Sequence, residues 1–157
     1  MAINNLIKNK FELVFDESLY DIVNEIIEVD FPGLGISYFG QKWKGLTNNQ
    51  PGGDLDFDVL DISMIVNEDM SNVKKFIDWI FELKNPETSE NGSKKLPATL
   101  ICYRPDGNKI RFKVDFTDVF PVNMSKIKFK TNIDDTEYEE VTITFVFNKY
   151  EIKGGLI

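Results

Sequence analysis

Strict alternation of apolar and polar residues predicts strands in the second half of the chain. The segment NKIRFKVDF has four apolar side chains on one face, and four charged ones on the other. This period of two is typical of a strand with one buried side. The apolar residues are Ile110, Phe112, Val114 and Phe116, and the charged residues are Lys109, Arg111, Lys113 and Asp115. VTITFVFNKY repeats the pattern with Val141, Ile143, Phe145 and Phe147 inward, and KIKFK repeats it briefly over 126–130.

A further strand is predicted from ATLICYR, residues 98–104, which is apolar on both faces. That composition is typical of a strand inside a sheet rather than at its edge. Between this segment and NKIRFKVDF lies RPDGNK, which contains a Pro-Asp-Gly turn signal. Residues 98–116 are therefore predicted to form a β-hairpin.

One helix is predicted from EDMSNVKKFIDWIFELKNP, over about residues 69–84. Its apolar side chains recur at helical spacing, and charged side chains occupy the opposite face. The Asn85-Pro86 pair ends the pattern, because proline disfavours helical geometry in the residue before it. The apolar stripe is Met70, Val73, Phe76, Ile77, Ile80 and Leu83.

The first third of the chain gives mixed signals. Residues 19–29 match a helical stripe with Ser18 as a candidate N-cap, whereas their β-branched content and the abrupt DFPGLG ending favour a strand. Local pattern leaves residues 19–24 open between helix and strand. The glycine-rich connection from Gly33 to Gly53 indicates a strand flanked by loops. The fold class predicted is mainly β (α+β): an antiparallel β domain with one packed helix.

The amino-acid composition excludes several classes of active site and metal site. The chain has 157 residues, of which 42% are hydrophobic, which is typical of one domain, residues 1–157, with a sizeable core. It contains no histidine and one cysteine, which excludes Ser-His-Asp triads, His-containing zinc sites, thiolate clusters and an internal disulfide. No apolar run approaches the roughly 20 residues of a membrane helix. A soluble protein made in the cytoplasm, without a cofactor, is expected.

Four aspartates crowd the segment PGGDLDFDVLDISMIV, residues 51–66, and pose the question of a metal site. They are Asp54, Asp56, Asp58 and Asp61. A calcium loop that starts at Asp54 requires glycine at its sixth position and glutamate at its twelfth. Those positions hold Val59 and Ile65, so the calcium interpretation fails.

The same aspartates also resemble the Asp-x-Asp strand of metal-dependent nucleotidyltransferases. In that alternative, Asp54, Asp56 or Asp58 would act with Asp115 to hold two magnesium ions. The nucleotidyltransferase pattern requires a Gly-Ser turn and a short helix upstream. The chain has KWKGLTNNQP there instead, and short acidic patterns match by accident.

The interpretation that fits best is a long strand with a β-bulge at Val59–Leu60. Leu55, Phe57 and Val59 then share one face, which Leu60, Ile62, Met64 and Val66 continue after a one-residue slip. The opposite face would be a polar row of Asp56, Asp58, Asp61 and Ser63.

Two lysine-rich rows have a structural and a functional interpretation. They are Lys109/Arg111/Lys113 and Lys126/Lys128/Lys130. The functional interpretation is contact with DNA phosphates. The structural interpretation, which is favoured, is pairing across strands with acidic rows such as Asp56/Asp58/Asp61 or Glu139/Glu140, or with a neighbouring subunit. The 26 acidic residues against 18 basic ones, a net charge of −8, disfavour binding of nucleic acid by the chain as a whole.

In order along the chain, the segments resemble the tail-tube proteins of contractile, T-even-like bacteriophages, from about Phe11 to Ile152. The resemblance rests on GGDLDFDVLDISMIVNEDMSNVKKFIDWI, a strand followed by an amphipathic helix. It also rests on FPVNMSKIKFKTNIDDTEYEEVTITFVFNKYEI, which leads through an acidic turn to a long final strand, and more weakly on VDFPGLG. Residues 1–10, an N-terminal arm, match nothing in this pattern.

The resemblance implies a β-sandwich or barrel subunit that forms sixfold rings. The rings would stack into a tube inside a contractile sheath above a baseplate, and DNA would pass through the lumen during injection without specific binding. The protein would then be a non-enzymatic structural component of the virion tail, made in the host cytoplasm, and it would not contact a membrane. The resemblance also implies that residues 19–30 are mainly strand.

The resemblance also implies where subunits meet. The loop over about residues 40–53 would reach the neighbouring ring, with candidate contacts at Lys42, Trp43, Lys44, Gly52 and Gly53. Aromatic residues are favoured interface anchors, but a partly exposed core position for Trp43 is an equal alternative. The polar strand faces, with Asp56, Asp58, Asp61, Lys109, Arg111 and Lys113, would line the lumen or contact other subunits.

Related tube-initiator proteins of the baseplate, and terminator proteins, share these signatures. They are therefore the nearest alternatives to a tube subunit.

Overall fold

The structure is a computed structural model that describes residues 11–15, 26–84, 95–104, 109–131 and 138–154. Within these residues the chain forms nine strands and one helix. The strands are β1 (Phe11–Val14), β2 (Ile26–Asp30), β3 (Leu34–Trp43), β4 (Leu46–Phe57), β5 (Leu60–Ile65), β6 (Leu96–Tyr103), β7 (Ile110–Met124), β8 (Glu140–Val146) and β9 (Lys149–Gly154), and the helix is α1 (Ser71–Lys84).

The long strand β7 joins two antiparallel sheets. Its first part pairs with β6 and β9, and β6 also pairs with β1, which makes the first sheet. Its last part pairs with β8, which continues through β5 to β2 and makes the second sheet. The mainly antiparallel β class with one helix is confirmed. The hairpin over 98–116 and the interior position of 98–104 are confirmed as well.

The strand passes from one sheet to the other at Asp118. This residue has a φ of 56°, a conformation that aspartate tolerates better than most residues. Asn148, which follows β8, donates its backbone N–H to the Thr117 carbonyl at 2.9 Å and its side-chain N–H to the Asp118 carboxylate at 2.7 Å. Asn148 therefore stabilises the transition, and it also separates β8 from β9. The single long final strand expected from the sequence is wrong for this reason.

Alternate residues of both sheets face a shared core, as the sequence pattern predicts. Val114, Phe116, Val141, Ile143 and Phe145 are all buried. The helix closes this core with an aromatic cluster, in which ring centroids lie 5.4 to 6.4 Å apart. Its members are Phe15, Phe76, Trp79 and Phe145.

The helix begins two residues later than predicted, at Ser71, and its buried face differs slightly from the predicted apolar stripe. Val73 and Phe76 are fully buried as expected, but Trp79, outside the predicted stripe, is only 5% exposed. Before the helix, Met70 has a φ of 59°, and the Asp69 carboxylate accepts the Ser71 N–H at 3.1 Å. Hydrogen bonds from Ser71 hold the pKa of Asp69 below its usual value.

Three further predictions about the strands were wrong. Residues 51–66 are not one bulged strand: the chain leaves β4 after Phe57, where the Asp58 N–H binds the Gly33 carbonyl at 3.0 Å, and starts β5 in another sheet. Gly33 to Gly53 is not a strand between loops but most of the β3–β4 hairpin. Residues 126–130 are not a strand.

In place of a strand ladder, side chains hold the segment after β7. The Ser125 hydroxyl accepts the Thr142 N–H at 2.9 Å, and the Glu139 carboxylate accepts the Lys128 N–H at 3.2 Å. Residues 1–10 and 19–24 lie outside the described residues. The strand expected over 19–30 is present in its described last part, β2.

Asn72 is a buried polar residue at the start of the helix, 3% exposed. Its amide accepts the Asn67 N–H at 3.2 Å and donates to the Ile65 carbonyl at 2.8 Å. It therefore ties α1 to the end of β5.

We expect Asn72→Ala to lower the free energy of unfolding by about 2 kcal/mol, because it removes the hydrogen bonds of a buried amide to the partly buried Ile65 carbonyl and Asn67 N–H. Urea denaturation followed by circular dichroism measures the change. Ser71→Ala is the control, because the hydrogen bonds of its hydroxyl, to Asn67 among others, are exposed to water, and it should cost less than about 0.5 kcal/mol. Equal losses for the two variants would contradict the role given to Asn72.

Candidate assembly surface

The β3–β4 hairpin forms a two-stranded sheet of its own, separate from the sheets that enclose the core. Its strands pair from Leu34 with Phe57 at the base to Trp43 with Leu46 at the tip. The turn between them is Lys44-Gly45, with φ values of 45° and 79°. Two residues with positive φ make the type I′ geometry that matches the twist of a hairpin.

Aromatic contacts attach the base of the hairpin to the first sheet. Phe57, the last residue of β4, lies 5.4 Å from Phe147 and 5.3 Å from Tyr150 between ring centroids. Phe31, just before β3, lies 5.1 Å from Tyr150 and 6.2 Å from Phe116. These ring contacts hold the base of the hairpin in place.

A bulge in β4 sits halfway along the hairpin. The register shifts between Ile36 and Tyr38, and Gly53 has a φ of 88°. A Cβ on Gly52 would lie 2.5 Å from the Ser37 hydroxyl, which accepts the Asp54 N–H at 3.1 Å. Gly53 is therefore favoured by the backbone conformation of the bulge, and Gly52 by the close approach of Ser37.

The basal half of the hairpin has one apolar face that nothing in the described chain covers. Leu34, Ile36, Tyr38 and Leu55 alternate onto this face and are 56%, 54%, 75% and 61% exposed. At the tip, Trp43 and Leu46 are 72% and 74% exposed. A two-stranded hairpin is marginally stable alone in water, and contiguous exposed apolar side chains mark interaction sites. The arrangement is suited to packing against another protein surface.

Of the predicted contact residues, Lys42, Trp43 and Lys44 lie at the hairpin tip, and the Lys44 ammonium lies 5.9 Å from the Trp43 ring centre. Trp43 does not contribute to the core of the chain, since most of its surface is exposed. Gly52 and Gly53 lie in the bulge. The sequence did not predict the apolar basal face, although the alternation of Leu34, Ile36 and Tyr38 was a signal for it.

The four aspartates do not form one row. Asp54 and Asp56 are exposed on β4, and Asp58 lies at the hairpin base, between the end of β4 and the start of β5. Asp61, on β5, accepts the Thr144 hydroxyl at 2.6 Å. The single polar row predicted from the sequence is therefore wrong. Among the residues that the structure describes, no group of three or more His, Cys, Asp or Glu side chains is arranged to hold a metal ion.

Arg111 and Lys113 lie on the outer face of the first sheet, and Lys109 is exposed just before β7. In the ladder, Lys113 is opposite Ile101 on one side and Lys153 on the other. Pairing of this row with Asp56, Asp58 and Asp61 across strands is wrong, because β4 and β5 are not neighbours of this part of β7. For the other row, Glu139 binds the backbone of Lys128.

Asp115, the third acid of the nucleotidyltransferase alternative, is already engaged within the first sheet. Its carboxylate lies 2.8 Å from the Lys153 ammonium and accepts the Thr99 hydroxyl at 3.0 Å. The hydrogen bond from Lys153, together with the one from Thr99, holds the pKa of Asp115 below its usual value. This ion pair fastens β9 to β7.

We expect Asp115→Asn to lower the free energy of unfolding at pH 7 by about 0.5 to 1 kcal/mol, since a partly exposed ion pair contributes little more. The folded-state pKa of Asp115 is lowered. Its contribution is therefore present above the unfolded value of about 3.9 and is lost as pH falls through the lower folded value. Urea denaturation from pH 7 to pH 2 measures both.

Asp78→Asn is the control, because Asp78 forms a more exposed pair with Lys74 at 3.1 Å. It should cost no more than a few tenths of a kcal/mol. A loss in Asp115→Asn that does not change with pH would contradict the prediction.

No helix in the described part of the chain has the length and hydropathy of a membrane span.

No protein-family model matches the chain, and a search of curated proteins finds no match. Solved structures do match. A chain of the extended sheath–tube complex of an extracellular contractile injection system, PVC, has a TM-score of 0.72 at 12% identity, over 96% of this chain and 93% of that one. A chain of the tube-terminating cap of the anti-feeding prophage has a TM-score of 0.73 at 14% identity, over 99% and 95%.

Hcp1 from Flavobacterium johnsoniae has a TM-score of 0.55 at 14% identity, over 93% of this chain and 96% of that one. At such low identity these similarities concern the fold. The chain therefore has the fold of the tail-tube and Hcp-like proteins of contractile injection systems, as its sequence resemblance implied.

Proposed function

We propose that this chain is a structural subunit that assembles with copies of itself into the tube of a contractile injection system. The observation that carries the proposal is the β3–β4 hairpin, which is anchored firmly at its base and exposes apolar side chains along its length. A monomer gains nothing from such an element, whereas a neighbouring copy can cover it. The fold shared with tube proteins supports the same conclusion.

In its specific form, the proposal is the tail tube of a contractile phage, built from stacked sixfold rings. A sheath surrounds the tube, a baseplate starts it, and DNA passes through the lumen. The hairpin tip, with Lys42, Trp43 and Lys44, contacts the next ring. The subunit is made in the host cytoplasm and acts in the virion tail. The hairpin supports the contact between rings, because its tip extends away from the core and is highly exposed.

A tube initiator in the baseplate, or a terminator at the end of the tube, is the second candidate. The similarity to a chain from a tube-terminating cap supports this second candidate. The two candidates differ in one measurable property, because a tube subunit polymerises alone whereas an initiator or terminator stops at a single ring or requires partners.

The purified protein is expected to form tubes or stacked rings of constant width in negative-stain electron microscopy. Trp43→Ala and Leu46→Ala together should abolish stacking without lowering the thermal stability of the subunit, because both side chains are mostly exposed and truncation removes interface anchors.

Phe81→Ala is the matched control, since Phe81 is 63% exposed on the helix, and this variant should still assemble. A protein that stays monomeric at every concentration would contradict the tube proposal. Single rings that do not stack would favour the initiator or terminator.

No catalytic role is proposed for the aspartates. We expect magnesium or manganese to leave the thermal unfolding temperature of the protein unchanged, and Asp56→Asn to behave the same way, because these carboxylates do not converge on one point. Differential scanning fluorimetry with and without each metal measures this. Stabilisation by metal that Asp56→Asn removes, together with nucleotide transfer, would revive the nucleotidyltransferase alternative.

A further inference from the structure

The basal half of the β3–β4 hairpin, residues 33–38 and 51–58, has two faces of different chemistry. Ile36 pairs with Leu55, and Gly35 pairs with Asp56. Paired residues point to the same side and successive residues to opposite sides, so the apolar side chains lie on one face and the carboxylates on the other. The acidic face has the exposed residues Asp54, Asp56 and Asp58, and this half of the hairpin contains no lysine or arginine.

The outer edge of β4 is a free strand edge. Within the described part of the chain, β4 pairs with β3 alone. A free edge is a template for a further strand from another chain, and a two-stranded sheet gains stability from a third strand. The surface that the hairpin offers to another chain is therefore an edge with an apolar and an acidic side.

A segment with the complementary pattern follows β7. Residues 126–130, KIKFK, alternate lysines with apolar side chains and belong to no ladder among the described residues. The three lysines are exposed, and Phe129 is 82% exposed. Ile127 packs partly against the core, and the Glu139 carboxylate accepts the Lys128 N–H. The segment is thus held on the subunit while its lysines and Phe129 remain accessible.

The two surfaces lie at opposite ends of the second sheet. Phe57 of the hairpin contacts Phe147, which follows the end of β8, at 5.4 Å between ring centroids. Ser125, just before the segment, donates its N–H to the Thr142 carbonyl near the start of β8. β8 has seven residues, which span roughly 23 Å at the usual rise. A contact between the two surfaces joins different copies head to tail, and such a contact propagates.

We propose that residues 126–130 of one copy add as a strand to the outer edge of β4 in a neighbouring copy. This inference rests on the proposed tube function and names the surface that meets the hairpin. The lysines and the aspartates both recur at every second residue. In the added strand the lysines lie beside the aspartates on the acidic face, and Phe129 lies beside Leu55 on the apolar face.

Both faces of the hairpin select the same register. A slip by one residue would put Phe129 among the carboxylates and the lysines against Leu55, because side chains alternate along a strand. Opposite charges directly across strands attract and like charges repel, so the lysines specify partner and register. Burial of Phe129 and of the apolar face of the hairpin supplies the hydrophobic part of the binding free energy.

Charge reversal on each side of the contact tests this pairing. One variant carries Lys128→Glu with Lys130→Glu, and another carries Asp54→Lys with Asp56→Lys. Each variant alone should lose the ability to form tubes or rings, because like charges then face each other. An equal mixture of the two should assemble, since each reversed surface meets its complement on the other variant. A chain with all four changes should assemble by itself. Negative-stain electron microscopy and sedimentation measure assembly.

Lys109→Glu with Lys149→Glu is the matched control. It reverses two exposed lysines outside the contact and should assemble like the unmodified protein. All variants should keep the thermal unfolding temperature of the unmodified subunit, because every changed side chain is exposed.

Carbodiimide crosslinking gives a second measurement on the unmodified protein. Assemblies of mixed isotopically light and heavy chains should give crosslinked peptides that join 126–130 to 54–58, with one peptide light and the other heavy. Crosslinks of these segments only within one copy would contradict the inference.

Failure of both the mixture and the fourfold variant to assemble, while the unmodified protein forms tubes or rings, would overturn the inference and leave the proposed function standing. Assembly of either reversed variant alone, at the concentration that suffices for the unmodified protein, would also overturn it. If the unmodified protein forms no tubes or rings, the proposed function fails and this inference fails with it.

Discussion

The structure depends on the way one strand satisfies its backbone hydrogen bonds. β7 spans 15 residues and pairs with β6 and β9 over its first part and with β8 over its last. A strand with unpaired N–H and C=O groups is a liability in water, so each part of β7 requires its own neighbours. Those neighbours carry the inward side chains that build the common core. The transition at Asp118, held by Asn148, thus sets the relation between the two sheets.

The core and the exposed surfaces follow from that division. Alternation along β7 and β8 places Phe116 and Phe145 inside, and α1 adds Phe76 and Trp79 over them. The same alternation gives each sheet an outer face of its own, with Asp61 and Thr144 on one and Lys113 and Lys153 on the other. The hairpin is the exception, because within it only Phe57, the last residue of β4, packs against the core. One chain therefore combines a buried core with a hairpin whose apolar side chains are exposed.

Sequence reasoning succeeded where a short window contains the cause. The period of two along Ile110–Phe116 and the helical period around Phe76 are local, and both elements formed as predicted. It failed where the cause is distant, since the break after Phe57 depends on Gly33. It also missed the hairpin turn, because Lys-Gly is a weak turn signal compared with Asn-Gly. Over 126–130 the alternation was present, but within the described residues the β7–β8 ladder ends at Met124. The aspartates looked like one site because they are close in sequence, whereas the fold distributes them between two sheets.

The length of the hairpin has a mechanical consequence. Ten residues of β3 extend over roughly 33 Å at the usual rise per residue, and the rings of Phe31 and Phe57 attach the base of the hairpin to the first sheet. Because the hairpin is long relative to its attached base, a small rotation of the base would move Trp43 by a much larger distance. A displacement of the hairpin would act at its base on Tyr150 of β9, which lies 5.1 Å from Phe31 and 5.3 Å from Phe57 between ring centroids.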